Sequence, residues 1–382
     1  MAPSPQVQKD TLSLLELAAS TQTLVANFLE VLSTANSSAA ASLPPSPPDP
    51  LLVLRDAAAL LKAHTTKLSL LVLNKPFTPS AIAGILREIN ATCLPAMMSA
   101  VELCRPDAWT HVMNAEVRAR ARRLFKELEE MAKEVRAVAE REVGAAQQNG
   151  AAKGRQATAS GSARDSLAST GVVWEACDAL GELQRMGIVG LVVLKAEQYR
   201  DTLRDAIGEL KEWEEEVDDE GDEEDGRDDS VGSDGDADSV EGIFSAANKL
   251  SKGHGELRKQ LEESLKKLRL TGTLYQALIK RRLKTFPRKS PTIAGDTEAP
   301  TPSRHLQTLD ELMSVLKAIP ETTDDLASAF YELDGKTAED LLQRFQRDAL
   351  SAVDIVKRNW EGNDDEFTTW SGKWVEAMGL KG

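Results

Sequence analysis

Val189, Val192, Ala196, Tyr199, Leu203, Ala206, Leu210 and Trp213 follow one another at alternating steps of 3 and 4 residues. That period lines a single face of an α-helix, whereas a half-buried strand needs apolar residues at every second position. It therefore settles the otherwise ambiguous run Ile188 to Leu194 as helix. A second stripe, Leu14, Leu17, Thr21, Leu24, Phe28 and Val31, repeats the pattern near the N-terminus and predicts a helix over about Asp10 to Ser33. Leu and Ala dominate the composition and aromatics supply only 4% of it, and no convincing strand pair is present. Packed helices are expected throughout, because β-rich chains lean on β-branched and aromatic residues.

Proline and small polar residues punctuate the helices. Ser33 to Pro50 holds five prolines and reads as a linker. Asp49-Pro50 and Thr78-Pro79 each place a capping oxygen before a proline at the first helical position. Pro95 should kink or break the third helix, and a long helix should run from about Pro106 to Val143. Gly144 to Asp165 reads as a flexible Gly-rich excursion, followed by helix over Ser166 to Gly187. Toward the C-terminus, Leu306 to Ile319 and Asp325 to Leu333 read as separate helices across Pro320. A further helix over Ala338 to Trp360 and a last one bearing Phe367, Trp370, Trp374 and Ala377 follow. Phe28, Trp174, Tyr199, Trp213 and Phe345 are taken as core, so truncating Trp174 to alanine should cost about 3 to 5 kcal/mol.

Charge is distributed very unevenly. The formal net charge is -15, and Glu214 to Glu241 alone carries 16 carboxylates and one arginine, a local sum of the same size. Such a stretch has little to bury and repels itself, so it is expected as a disordered linker. Lys252 to Lys289 then reverses sign, with 12 Lys or Arg against 3 Glu. The expected architecture is all-α: an N-terminal helical bundle over 1–213, an acidic linker over 214–242 and a C-terminal bundle over 243–382, each bundle antiparallel.

Motifs for chemistry are scarce. His64, His111, His254 and His305 are isolated, without metal-ligand spacing. Asp234, Asp236 and Asp238 imitate the start of a calcium loop, but Ser239 stands where the turn needs Gly and Ser245 where a bidentate Glu is needed. Gly335-Lys336-Thr337 resembles the end of a phosphate-binding loop, yet Phe330 holds the place of its first glycine. No catalytic, cofactor-binding or metal residue is assigned, no cofactor is expected, and the chain is expected not to be an enzyme. Cys93, Cys104 and Cys177 lack any CxxC spacing and read as buried thiols of a reducing compartment. No apolar run approaches the roughly 20 residues of a bilayer span and no signal peptide is visible, so no membrane partner is expected. Two candidate sites stand out. Lys280, Arg281, Arg282 and Lys284 form an electrostatic patch that could meet nucleic acid, face solvent, or answer the preceding polyanion; nucleic acid is the least favoured. Ser233, with acid at the first and third following positions, is a candidate phosphorylation site.

Several segments in order resemble the cyclin D-binding protein (GCIP) family, in a fungal-like form. They are Lys75-Pro76-Phe77-Thr78-Pro79 with the following Ala96-Met97-Met98, Arg122 and Leu124-Phe125; Val173-Trp174-Glu175-Ala176-Cys177; the acidic stretch; and Asp324-Asp325-Leu326-Ala327-Ser328-Ala329-Phe330-Tyr331. The resemblance implies an all-helical, non-enzymatic protein of cytoplasm and nucleus. Such a protein binds cell-cycle or helix-loop-helix-type transcription regulators and restrains cell-cycle progression. A cytoskeletal or adhesion-type helical-bundle adaptor is the alternative reading.

Overall fold

The computed structural model describes residues 5–34, 47–148, 159–219, 254–287 and 304–380. Among them there is no strand, and the fold is all-α. The described residues divide into two compact units, the first running to Ile188 and the second starting at Val189.

In the first unit, α1 (Pro5–Ser33) packs on α3 (Pro79–Glu88) and α6 (His111–Gln148). Its buried face is Thr11, Leu14, Ala18, Thr21, Val25 and Leu32, so the helix is rotated from the expected stripe and Val31 is 46% exposed. Small residues win this contact: Ala18 lets the partner helix approach closely, and Thr11 and Thr21 satisfy their hydroxyls on Val7 O and Leu17 O. By length and composition α1 could also cross a bilayer, with a mean hydropathy of 1.2. Here its inner face lies instead against protein. Arg118 and Arg122 of α6 donate to Val31 O, Leu32 O and Thr34 O, closing the carbonyl end of α1 with positive charge.

Asp49 opens α2 (Pro50–Leu73) as anticipated, its carboxylate accepting from Leu51 N at 2.8 Å and Leu52 N at 3.3 Å. Thr78 makes no such bond to α3 (Pro79–Glu88), whose start rests on Pro79 alone. The expected disruption at Pro95 takes the form of a π-helical turn, Ile89–Cys93, leading into α4 (Leu94–Leu103). Widening the helix there accommodates a residue without an N–H and relieves the clash of its ring with the preceding turn. The long helix does not begin at Pro106. A short α5 (Pro106–Trp109) ends at Thr110, whose φ of 79° breaks the chain direction and whose hydroxyl caps Met113 N at the start of α6 (His111–Gln148).

α7 (Ala159–Asp219) is broken at Gly187, where φ 59° and ψ -167° lie in a region open essentially to glycine. Unit division falls beside this break, not at Trp213: residues from Val189 on belong with the second unit. The predicted stripe is realised there, with Val192, Ala196, Leu203, Ala206 and Leu210 buried and Trp213 edge-on to Tyr331 at 5.4 Å. Helix also continues beyond Trp213 through Asp219, aided by Lys211–Glu215 at 2.9 Å, so the first acidic residues are helical and not linker. The rest of the acidic stretch, 220–241, lies outside the described residues, as do 149–158 of the Gly-rich excursion and 35–46 of the Pro-rich linker.

α8 (Gly255–Leu278) ends in a second π-helical turn, Ile279–Leu283. α9 (Arg304–Tyr331) runs unbroken through Pro320, correcting the expected division into two helices. Pro320 cannot donate to Leu316 O; the buried Tyr275 hydroxyl of α8 donates to that carbonyl instead. A tertiary donor thus replaces the missing backbone one. α9 pairs closely with α10 (Gly335–Ile355), which Asp334 caps through Thr337 N at 3.1 Å. Last comes α11 (Glu366–Ala377), whose N-terminus carries a full capping box between Asp365 and Thr368.

Candidate protein-binding surfaces

The basic run after α8 is not one patch. Lys280 is exposed, Arg281 pairs with Glu366, and Lys284 Nζ stands 4.0 Å from Glu197. Arg282 points inward and its side chain is only 1% exposed. Its Nε donates to Val356 O at 2.7 Å, Nη1 to Asp365 Oδ2 at 2.7 Å and Arg281 O at 2.9 Å, and Nη2 to Asp365 Oδ1 at 2.8 Å and Lys357 O at 3.2 Å. All five guanidinium N–H groups are thereby satisfied. The guanidinium also lies over the Phe367 ring at 4.4 Å, and Trp360 Nε1 donates to Arg282 O at 2.8 Å. Arg282 holds Asp365 well below the usual carboxylate range. This residue joins the end of α10 to the start of α11, so it leaves the electrostatic patch altogether. A signal for this existed in the sequence: Leu268, Thr271, Tyr275, Leu278 and Arg282 step by 3, 4, 3 and 4, placing the arginine on the buried face. Ser233 lies outside the described residues.

In the first unit α2 has three faces. Leu54, Ala58, Leu61 and Leu68 are buried toward α3 and α4. A flank meets the first arm of α7 through Lys62–Asp178 at 2.6 Å and a Ser69–Thr170 hydroxyl pair. His64, isolated in sequence, meets Glu88 at 3.3 Å. The third face is solvent-exposed and mixed: Leu52 at 39%, Leu60 at 44% and Leu70 at 54%, with exposed Ala59 and Ala63 between them and the charged Arg55, Asp56 and Lys67 alongside. Leu52, Ala59, Ala63 and Leu70 are spaced 7, 4 and 7 residues apart, a line along which a second helix could pack knobs into holes.

Trp174 belongs near this surface and not to the core. It is half-buried, Lys62 Nζ stands 5.8 Å over its ring, and its buried Nε1 finds no acceptor among the described residues. Truncation loses a cation–π contact and the apolar area of a partly covered ring, and relieves an unpaired donor. Trp174→Ala is therefore expected to cost about 2 kcal/mol, several degrees of melting temperature by calorimetry, less than the loss of a fully buried ring. Phe28, Tyr199 and Trp213 are likewise half-buried, while Phe345 is fully buried.

The thiols of Cys93, Cys104 and Cys177 are buried and unpaired. Burial raises all three, Cys104 and Cys177 to about 12, which keeps them protonated and poorly nucleophilic.

Residues 53–216, from within α2 into the second arm of α7, match the family described as Grap2 and cyclin-D-interacting, N-terminal. This stretch is similar to that family's N-terminal region. An uncharacterized protein of Schizosaccharomyces pombe is 26% identical over 329 residues, covering 86% of this chain and 83% of the relative. Similarity of that length continues past residue 216 into the second unit, of which the family match reaches only 189–216. Trp174 and most of the solvent face of α2, from Ala59 to Leu70, fall within the matched residues, and Leu52 lies just before them.

Proposed function

We propose that this protein is a non-enzymatic regulator that binds cell-cycle or transcription regulators in cytoplasm and nucleus and restrains cell-cycle progression. The observation that carries the reading is the match of 53–216 to a family described as cyclin-D-interacting. The exposed apolar positions Ala59, Ala63 and Leu70 within it, with Leu52 just before it, suit helix-face recognition, in which a partner lays an amphipathic helix against α2.

Binding of the purified full chain to a purified D-type cyclin, followed by biolayer interferometry, tests this. Ala63→Glu with Leu70→Glu should weaken binding at least tenfold while leaving the melting temperature within a few degrees, since both positions face solvent. Unchanged affinity in that double variant would move the interface off α2. Absence of cyclin binding together with cosedimentation on filamentous actin would favour the adaptor reading instead.

A further inference from the structure

The solvent face of α8 carries Lys259, Lys266, Arg269, Lys280 beyond the π-turn and Lys284, with Thr273 and Gln276 between and with Glu256, Glu262 and Glu263 as exposed acids in its first half. Lys259 is engaged by Glu256 at 3.0 Å, and Lys284 stands at the limit of ion-pair distance from Glu197. Among the described residues, Lys266, Arg269 and Lys280 have no carboxylate within ion-pair distance. The face thus has an excess of cations, with Lys266 one turn from Glu262 and Glu263 and Lys280 within the field of Glu366.

The same chain supplies an anion of matching size next door. Residues 220–241 hold 11 carboxylates and one arginine, and the elements flanking this stretch, the end of α7 and the start of α8, both belong to the second unit. Between Glu241 and Gly255 lie 13 residues, which can extend to about 45 Å. α8 has 24 residues and is about 36 Å long, so the tether permits the acidic residues to reach any point along it. Covalent attachment on a tether of this length gives an effective concentration on the order of millimolar. A free polyanion of similar charge has to compete with that.

We propose that the solvent face of α8, centred on Lys266, Arg269 and Lys280, is the docking site of the chain's own acidic segment, residues 220–241. The contact neutralises a basic surface that would otherwise attract unrelated polyanions, and it is set by charge, so it loosens as salt shortens the screening length toward a few ångströms. This goes beyond the α2 surface and does not depend on the identity of the partner held there.

A fluorescent peptide of residues 220–241 serves as probe, with its binding read by anisotropy against three full-length proteins. In the intact chain the site is filled internally. In a charge-neutralised chain, with the 11 carboxylates of 220–241 replaced by Asn or Gln, it is vacant. In the third, the neutralised chain also carries Lys266→Ser, Arg269→Ser and Lys280→Ser, all exposed positions. At low salt the neutralised chain should bind the peptide at least tenfold more tightly than the intact chain. That affinity should fall at least tenfold when salt is raised severalfold, and it should be lost with the three serine substitutions. Equal binding to intact and neutralised chains, no binding to the neutralised chain, or undiminished binding after the serine substitutions each overturns the proposal. A single-stranded oligonucleotide bound by the intact chain at low salt, and released by the serine substitutions, overturns it in favour of an open nucleic-acid site.

Discussion

Arg282→Met should destabilise the second unit by about 3 to 5 kcal/mol, the cost typical of removing one partner from a buried ion pair. The guanidinium closes several accounts at once. It satisfies Val356 O and Lys357 O at the end of α10 and neutralises Asp365, the N-cap of α11. Methionine fills much of the volume but supplies no donor, so Val356 O loses its side-chain donor, Lys357 O and Arg281 O each lose one of two, and Asp365 loses its counter-charge while keeping its cap bonds. The loss should be local enough to see: amide hydrogen exchange should accelerate in peptides covering 279–286 and 353–369, while the first unit keeps its protection. Lysine should rescue little, because a point-charge ammonium cannot reproduce five N–H bonds fixed in one plane. If Arg282→Met leaves exchange in both peptides unchanged, the residue is not the tie described.

The same pair dictates an acid response. Asp365 is held well below the usual carboxylate range, first by its bond to Arg282. A depressed folded value contributes stability that is fully present above the unfolded carboxylate value of about 3.9 and is lost as pH falls through the folded one. Wild-type second-unit stability should therefore decline below about pH 4, and in Arg282→Met that part of the decline should flatten. The comparison needs no absolute free energy, only two acid titrations of the same fluorescence signal. Trp360 is a natural reporter, since it donates to Arg282 O and packs edge-on to Phe286 at 4.9 Å.

What could be read from sequence divides along a physical line. Features set by neighbours three or four residues away were legible: the 189–213 stripe, the capped start at Asp49-Pro50, the break at Gly187 and the all-α class. Features set by residues far apart in the chain were not. The register of α8 puts Arg282 on the buried face, but the partner that makes a buried guanidinium tenable, Asp365, lies 83 residues later and is invisible to local spacing. α1 turned toward Ala18 because close approach outweighed the larger apolar side chains nearby. The candidate surface was half legible. Trp174 was noticed, but its exposure depends on where α2 places Lys62, and the solvent line of α2 is distinguishable from its core line only once α3 and α4 have covered the latter.

Pro320 shows such an override most clearly, and it carries the second large expectation. Local propensity puts proline in a helix interior at about 3 kcal/mol of cost, yet α9 is continuous through it. The Tyr275 hydroxyl, fully buried and with its phenol pushed up chiefly by burial, donates to the Leu316 carbonyl that Pro320 leaves open. Tyr275→Phe should then cost about 2 kcal/mol, because it strands a buried acceptor and not merely one hydrogen bond. The decisive measurement is a double-mutant cycle. Pro320→Ala restores a backbone N–H to Leu316 O, so in that background the phenol is no longer needed, and Tyr275→Phe should cost less than half as much. A coupling of about 1 kcal/mol between the two positions is the expected reading, and additive effects would mean that the phenol and the proline are independent. The cycle is robust to any general loss of packing at Tyr275, since the phenylalanine ring occupies the same space in both backgrounds and only the hydroxyl differs.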